Sequence, residues 1–411
     1  MPDTQKLATC RACAAPLGPV FCDLGRMAVA NSYLPPDADP GAEPRYPLAA
    51  VVCPACRMVQ LDHVVDAQGV FRDYAYFSSA SASWLDHAAR FTDAMIARLD
   101  LTPDALVIEV ASNDGYLLRN FVARGIPCLG VEPAANVAQV AIDAGVPTEV
   151  AFLTPDSARR IIADTGRGAD LVVANNVLAH VPDINGFAAA LAHLLAPGGI
   201  LSVECPHLLA LVDGVQFDTI YHEHYAYWSL LAVERLFARH GLHVFDVEHL
   251  PTHGGSLRLL AARDRRPASA TLTDLRAQEA ARGLDEDAFY LGFNDRVRTV
   301  LDGFRTWLAD RQAQGRRVAA YGAAAKGNTF LNAAGVRAPE LSAVADLSPA
   351  KQGRLLPGSH IPVVSPEALL AQAPDDILIL PWNIAPELRD QLRAAGFEGG
   401  LWVAVPRMQA L

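Results

Sequence analysis

Two histidines, one glutamate and three tyrosines fall within Tyr221–Tyr227, in the run Tyr221-His222-Glu223-His224-Tyr225-Ala226-Tyr227-Trp228. Histidine exchanges a proton near neutral pH, and a neighbouring carboxylate can tune and orient it, so these residue types suit proton transfer. A metal site is a competing reading, but His-x-His beside a glutamate lacks the i, i+4 spacing of metalloprotease helices. A polar rim at a helix start is the purely structural alternative. Two further pairs, Cys10-x-x-Cys13 and Cys53-x-x-Cys56, offer a different chemistry. Each pair brings two thiolates to one cation, and together they complete a closed tetrahedral zinc site that serves as scaffold. A module this poor in apolar residues is expected to depend on its metal to fold. Cys22, Cys128 and Cys205 read as small core residues.

The elements that must position these residues begin at Leu106-Val107-Ile108, a buried strand running into the polar turn Ser112-Asn113-Asp114-Gly115. A helix is expected over Tyr116–Val122, then a strand Cys128–Val131 that ends in Glu132. An acid about twenty positions after the first loop of such a βαβ unit hydrogen-bonds a ribose. The loop is not Gly-x-Gly-x-x-Gly, so a dinucleotide is not the natural ligand. A helix near 136–144, a short strand or turn near 148–152 and a strand Leu171–Ala174 follow, the last ending in Asn175-Asn176-Val177-Leu178-Ala179-His180-Val181-Pro182-Asp183. A turn at 194–199 then leads into another strand. This succession predicts a doubly wound, mostly parallel sheet with ligands at the carboxyl ends of its strands. Asn113, Asp114, Glu132, Asn175, Asn176 and His180 all fall at such ends.

Upstream, Tyr74 and Tyr76 precede a serine-rich turn, and a helix is expected from Trp84, capped by Ser81 or Ser83. Amphipathic spacing predicts a helix over 231–240. Polar helices over 271–314 read as a connector that also packs. A second α/β unit follows, with strands expected at 317–322, 342–345, 377–380 and 401–404, and with Asp346 closing its second strand. Its first loop, Gly322-Ala323-Ala324-Ala325-Lys326-Gly327-Asn328, is a weak Rossmann-like turn. A helix amino-terminus there can hold phosphate, and Lys326 would add a point charge for a diphosphate.

At 411 residues, half of them apolar, the chain is long enough for two or three domains. Its net charge of −11 argues against a general nucleic-acid binder, although one cationic pocket could still take an anionic small molecule. An odd number of cysteines, seven, favours metal or free thiols over a disulfide framework. No signal pattern or membrane-length apolar run is evident, which points to the cytoplasm.

The Glu109-Val110-Ala111-Ser112-Asn113-Asp114-Gly115 loop resembles the first motif of class I S-adenosylmethionine-dependent methyltransferases. Taken over its whole length, the chain resembles the sugar C-methyltransferases of deoxysugar biosynthesis. The resemblance rests on the four cysteines, the Tyr74–Ser79 turn, the 109–116 loop, Gly130–Ala138, Asn175–Asp183, Tyr221–Leu230 and Gly322–Asn332. It implies an α/β fold of three domains: a zinc-binding domain over 1–66, a class I Rossmann-like methyltransferase domain over 67–262, and a Rossmann-like α/β domain over 263–411 that helps cover a sugar nucleotide. It also implies S-adenosylmethionine as cofactor, structural zinc, and a nucleotide-linked 4-keto-deoxysugar as substrate, with thymidine diphosphate the commonest carrier and guanosine or cytidine diphosphate as alternatives.

On this resemblance His224 is the expected general base that removes the proton beside the ketone, at C3 or, in some relatives, C5. His222 is its alternative. Tyr76, His180, Tyr221 and Glu223 would orient the base or hydrogen-bond the enolate and sugar hydroxyls. Cofactor contacts fall on Asn113, Asp114, Gly115, Glu132, Asn175 and Asn176, and substrate diphosphate contacts on Gly322, Lys326 and Asn328. The rival readings are a sugar O-methyltransferase, a catalytically silent sugar-nucleotide binder and, least compatible with the acidic charge, a zinc-dependent nucleic-acid binder.

Overall fold

A computed structural model describes residues 5–65 and 77–411, so the expected roles of Tyr74 and Tyr76 lie outside the described residues. The amino-terminal lobe contains β1 (Gln5–Lys6), β2 (Val20–Met27), β3 (Tyr46–Val52), β4 (Val59–Leu61) and β5 (His63–Val64). The central lobe runs α1 (Ala82–Leu99), β6 (Val107–Val110), α2 (Leu118–Val122), β7 (Cys128–Val131), α3 (Ala135–Asp143), β8 (Thr148–Glu149), α4 (Pro155–Thr165), β9 (Ala169–Asn175), α5 (Ile184–Leu194), β10 (Leu195–Pro206), α6 (Leu208–Asp213), β11 (Ala226–Tyr227), α7 (Leu230–Ala238), β12 (His243–Leu250) and β13 (Ser256–Ala262). Then come α8 (Ala270–Ala281), α9 (Phe293–Ala313), β14 (Val318–Tyr321), α10 (Ala325–Ala333), β15 (Val344–Ala345), β16 (Val363–Val364), α11 (Pro366–Ala371), β17 (Asp376–Ile379), α12 (Ala385–Ala394), β18 (Gly400–Val403) and β19 (Gln409–Ala410).

The central sheet is ordered β12-β13-β10-β9-β6-β7-β8. All of its neighbouring pairs are parallel except those of β13, which runs against both β10 and β12. The expected parallel sheet is therefore present, with a closing antiparallel pair that the apolar pattern did not announce. The strands are mostly apolar because helices cover both faces, with Glu109, Glu204 and Arg258 as buried charged exceptions. On one face Ile161 of α4, Leu191 of α5 and Leu236 of α7 pack with Val172 and Val203. On the other, Phe91 and Met95 of α1 and Phe121 of α2 pack with Val107 and Val173. Ser81 is the amino-terminal cap of α1, its hydroxyl accepting from the Trp84 amide at 3.3 Å.

The presumed connector is part of the cores. Leu272 and Leu275 of α8 join the core of the central lobe, and Phe293 of α9 stacks on Phe21 of β2 with ring centres 4.5 Å apart. The last lobe has a sheet ordered β16-β15-β14-β17-β18-β19, parallel except for β19.

The amino-terminal sheet is ordered β11-β4-β3-β2. Its edge strand β11 comes from the histidine-rich block of the central lobe, with Ala226 opposite Gln60 and Tyr227 opposite Val59. The metal-binding lobe and the block that carries His224 thus share one sheet. Among the described residues no helix is long and apolar enough to cross a membrane.

Candidate functional site

The turn after β6 is held open by backbone geometry. Asn113 and Gly115 both have positive φ, 51° and 75°, a region that costs a glycine least. Glu132, at the end of β7, accepts from the Asn113 amide at 3.0 Å and from the Ala134 amide at 2.9 Å. It is buried, and desolvation raises its carboxyl pKa against these two amides. The serine turn closes over the same loop: the Ser78 amide donates to Asn113 Oδ1 at 2.8 Å and the Ser79 amide to Asp114 Oδ2 at 3.1 Å. Beneath it Glu109 is 1 % exposed, and burial first, then the nearby Glu132 and Asp114 carboxylates, raise its carboxyl pKa well above the usual value.

Several polar atoms in this crevice are buried without a hydrogen-bond partner among the described residues: Asp114 Oδ1, Asn175 Oδ1 and both amide atoms of Asn176. Buried polar groups in native proteins are normally satisfied. A polar ligand at the carboxyl ends of β6, β7 and β9 would satisfy them. Asn113, Asp114, Gly115, Glu132, Asn175 and Asn176 lie at the carboxyl ends of β6, β7 and β9, a donor and acceptor set of the kind that a ligand with both ribose and amino-acid groups requires.

A second group lies beside them. His224 Nδ1 is 2.9 Å from the Thr219 carbonyl oxygen, and its Nε2 is 2.7 Å from the Tyr221 hydroxyl. The carbonyl can only accept, so Nδ1 carries the proton. Burial foremost, then the His180 and Lys326 charges, hold the His224 pKa well below its usual value, so Nε2 is a bare acceptor for the Tyr221 O–H. His180 packs edge-on to His224 with ring centres 4.6 Å apart, and its Nδ1 donates to the Glu223 carbonyl at 2.8 Å. Burial lowers its pKa to about 4.

Two expectations need correction here. The Glu223 carboxylate does not orient a histidine: it faces Asn31, whose Nδ2 donates to Oε1 at 3.1 Å, and burial raises its pKa to about 7. Its backbone carbonyl makes the contact instead. His222 points to the other side, its ring edge-on to Tyr46 of β3 at 6.0 Å, and so stands outside the His180–Tyr221–His224 group. A turn explains the difference: the His224 amide donates to the Tyr221 carbonyl at 2.9 Å, so the chain reverses between the two histidines before β11 begins.

The carboxy-terminal lobe contributes Lys326. Its ammonium lies 5.0 Å above the Trp382 ring and 3.5 Å from the His253 carbonyl, with Asp218 close enough to oppose the downward shift that burial imposes on its pKa. Trp382 donates to Asp218 Oδ2 at 2.7 Å, which pins the lobes together at this point. Asn328 and Gly322 do not face the crevice as ligand groups. Asn328 is buried, donates to the Ala30 carbonyl at 3.2 Å and accepts from Asn332 at 3.1 Å. Gly322 has φ 92°, and a Cβ there would come within 2.3 Å of Pro381, so glycine answers a close approach of two loops. Asp346 pairs with Lys351 at 3.1 Å. Sequence reasoning missed His253, Asp218, Trp382, Asn31 and Glu109. Of these only Glu109 carried a signal, its place inside the first loop motif.

The Sγ atoms of Cys10, Cys13, Cys53 and Cys56 all lie within 4.8 Å of one another. Zn–S bonds of about 2.3 Å in a tetrahedron put sulfurs about 3.8 Å apart, so the donor set fits zinc with no open position. Both knuckles turn through a left-handed residue just after the second cysteine, Ala14 at φ 63° and Arg57 at φ 65°.

Comparison with known proteins follows the same three parts. Residues 10–71 match a family model for a zinc binding domain, 84–247 one for a methyltransferase domain, and 251–406 one for the C-methyltransferase C-terminal domain. The C-methyltransferase NovU of Streptomyces niveus is 37 % identical over 399 residues, 96 % of this chain and 94 % of the relative. Magnesium protoporphyrin IX methyltransferase of Synechocystis PCC 6803, solved with S-adenosylmethionine, aligns with 49 % of this chain and 99 % of its own at 14 % identity and a TM-score of 0.36.

Proposed function

Because the chain belongs to the family of S-adenosylmethionine-dependent C-methyltransferases, we propose that it methylates the carbon beside the ketone, C3, of a nucleotide-linked 4-keto-deoxysugar through an enolate. The observation that carries this reading is the Tyr221–His224–Thr219 chain of hydrogen bonds at 2.7 and 2.9 Å. It holds a neutral imidazole with its basic nitrogen directed to a phenol. A carbon next to a ketone is not nucleophilic until it loses a proton, and a fixed neutral histidine is the group for that task.

In this mechanism His224 and Tyr221 act as one proton-accepting unit. The imidazolium that forms is stabilised by the Thr219 carbonyl on Nδ1. His180, its one N–H held by the Glu223 carbonyl, packs edge-on against His224 and fixes the orientation of that ring. Lys326, across the cleft, supplies positive charge for a diphosphate. Asn113, Asp114, Glu132, Asn175 and Asn176 would hold the cofactor. When bound, S-adenosylmethionine supplies an electrophilic methyl group for the deprotonated carbon. The chain's part is placement, proton management and exclusion of water. The four thiolates of the zinc site stay reduced in a cytoplasmic setting, which belongs to the same reading.

The test is incubation with thymidine-, guanosine- and cytidine-diphosphate 4-keto-deoxysugars in deuterium oxide, with and without S-adenosylmethionine, read by mass spectrometry. Deuterium entering beside the ketone without cofactor, and a C-methylated product with it, are the expected results. Methylation without that exchange would move the reaction to a hydroxyl. Bound nucleotide with neither outcome would make the protein a silent binder.

A further inference from the structure

Arg11 lies between the first two zinc ligands in sequence, yet its side chain leaves the knuckle and enters the central lobe. Its backbone amide and its Nε both donate to Gln60 Oε1, at 3.1 and 3.2 Å. That anchors the guanidinium stem on β4. Nη1 then donates to the carbonyls of Val181 and Pro182, both at 3.0 Å, and Nη2 donates to the carbonyl of Tyr225. Val181 and Tyr225 directly follow His180 and His224, and Pro182 comes next after Val181. On the other side of the same junction the Tyr225 amide donates to the Ala179 carbonyl at 2.7 Å. The two histidine loops are therefore stapled twice, once by backbone and once by one planar cation.

The knuckle itself is gripped in return. Asn185 Nδ2 donates to the carbonyls of Arg11 and Ala12 at 2.7 and 3.1 Å, and His240 bonds Asn185 Oδ1 at 2.9 Å. Arg235 of α7 donates to the Ala55 carbonyl of the second knuckle at 3.1 Å. A guanidinium presents several donors in a rigid fork, so it can fix two loops at once; an ammonium on a flexible stem cannot. The scaffold metal and the spacing of the histidine rings share one chain of contacts.

We propose that Arg11 is a positioning residue for the methyl transfer: the zinc knuckle aims its guanidinium at the carbonyls that follow His180 and His224, and so links the geometry of those two rings to the integrity of the metal site. This rests on the roles given to His180 and His224 above. Displacing a reacting group by about 1 Å can cost on the order of 100-fold in rate, which sets the size of the effect.

The experiment compares Arg11→Ala, Arg11→Lys and the parent enzyme. Zinc content is read by elemental analysis, cofactor affinity by calorimetry, kcat and KM by methyl transfer, and imidazole tautomers by ¹⁵N spectroscopy. In zinc-loaded Arg11→Ala, kcat is expected to fall by roughly 100-fold, with KM and the cofactor Kd within about threefold of the parent. Arg11→Lys should lose less, and added guanidinium should restore part of the alanine variant's rate. The Nδ1–H tautomer signals of His180 and His224 should become mixed in Arg11→Ala and, equally, in chelator-treated parent enzyme. Zinc-loaded variants with kcat within threefold of the parent and unchanged tautomers would overturn the proposal. If the alanine variant does not fold, the lysine variant decides by the same readouts. The tautomer measurement needs no turnover: normal activity in His224→Asn would sink the functional reading alone and leave the linkage of Arg11 to the two rings still decided.

Discussion

A double-mutant cycle on Tyr221 and His224 tests whether the two side chains form one proton-accepting unit. The Tyr221 hydroxyl meets His224 Nε2 at 2.7 Å, the nitrogen that gains charge as a proton moves. A hydrogen bond to a charged group contributes about 1.5–3 kcal/mol, so Tyr221→Phe should lower kcat by roughly 10- to 150-fold. His224→Asn removes the basic nitrogen while its amide can still reach the Thr219 carbonyl, now 2.9 Å from Nδ1. Loss of a general base costs about 10²- to 10⁴-fold. If the pair acts as a unit, the double variant should be no slower than His224→Asn within about threefold, because there is no longer a base for the phenol to serve. Single-turnover methyl transfer and cofactor-free deuterium exchange are the assays, with calorimetry confirming that the cofactor still binds. A double variant whose loss is the product of the two single losses would refute the argument.

Five further outcomes follow from the geometry. Protonation of His224 should abolish turnover, and since burial, His180 and Lys326 all depress its pKa, the acidic limb of the kcat–pH profile should lie below about pH 6.5, the usual value for histidine. Lys326→Met removes one of those charges and should move that limb to higher pH. On the cofactor role proposed for Glu132, Glu132→Gln should raise the cofactor Kd by roughly 10- to 100-fold in calorimetry. Cys53→Ser should lose the metal and the folded amino-terminal lobe together, seen as absent zinc and a broadened melting transition. Glu279 accepts from His207 at 2.7 Å and from the Leu230 and Leu231 amides at 2.7 and 2.9 Å; Glu279→Ala leaves these donors buried and should cost about 3–5 kcal/mol of stability by denaturant titration.

Local pattern sufficed for the four cysteines, the β6–β7 unit with Glu132, and the strand that ends at Asn175 and Asn176, because each is a short stretch whose chemistry depends on neighbours in the chain. Lobe-to-lobe contacts were not legible. Nothing near Ala226 in sequence says that it pairs with Gln60, and nothing near Arg11 says that it reaches Val181 and Tyr225. Asn328 was misjudged for a similar reason. A Rossmann-like turn suggests a phosphate contact early in the following helix, but the side chain turns to the Ala30 carbonyl of another lobe. His222 and His224 are two residues apart and of one type, so only the turn between them, closed by the His224 amide on the Tyr221 carbonyl, distinguishes the ring that faces Tyr46 from the one that faces Tyr221.

That pairing of β11 with β4 has a consequence for how the protein is made. Residues 59–61 leave the ribosome long before residues 226–227, their partners at the sheet edge. At about 5–20 residues per second the delay is on the order of ten to thirty seconds. Throughout it the nascent amino-terminal lobe presents β4 as an open edge, a template for pairing with other chains. Early capture of zinc would keep the remaining strands ordered while the edge waits. Released fragments that stop before residue 226 should therefore self-associate, and a supply of metal during synthesis should raise the yield of soluble full-length chain more than the same metal added afterwards.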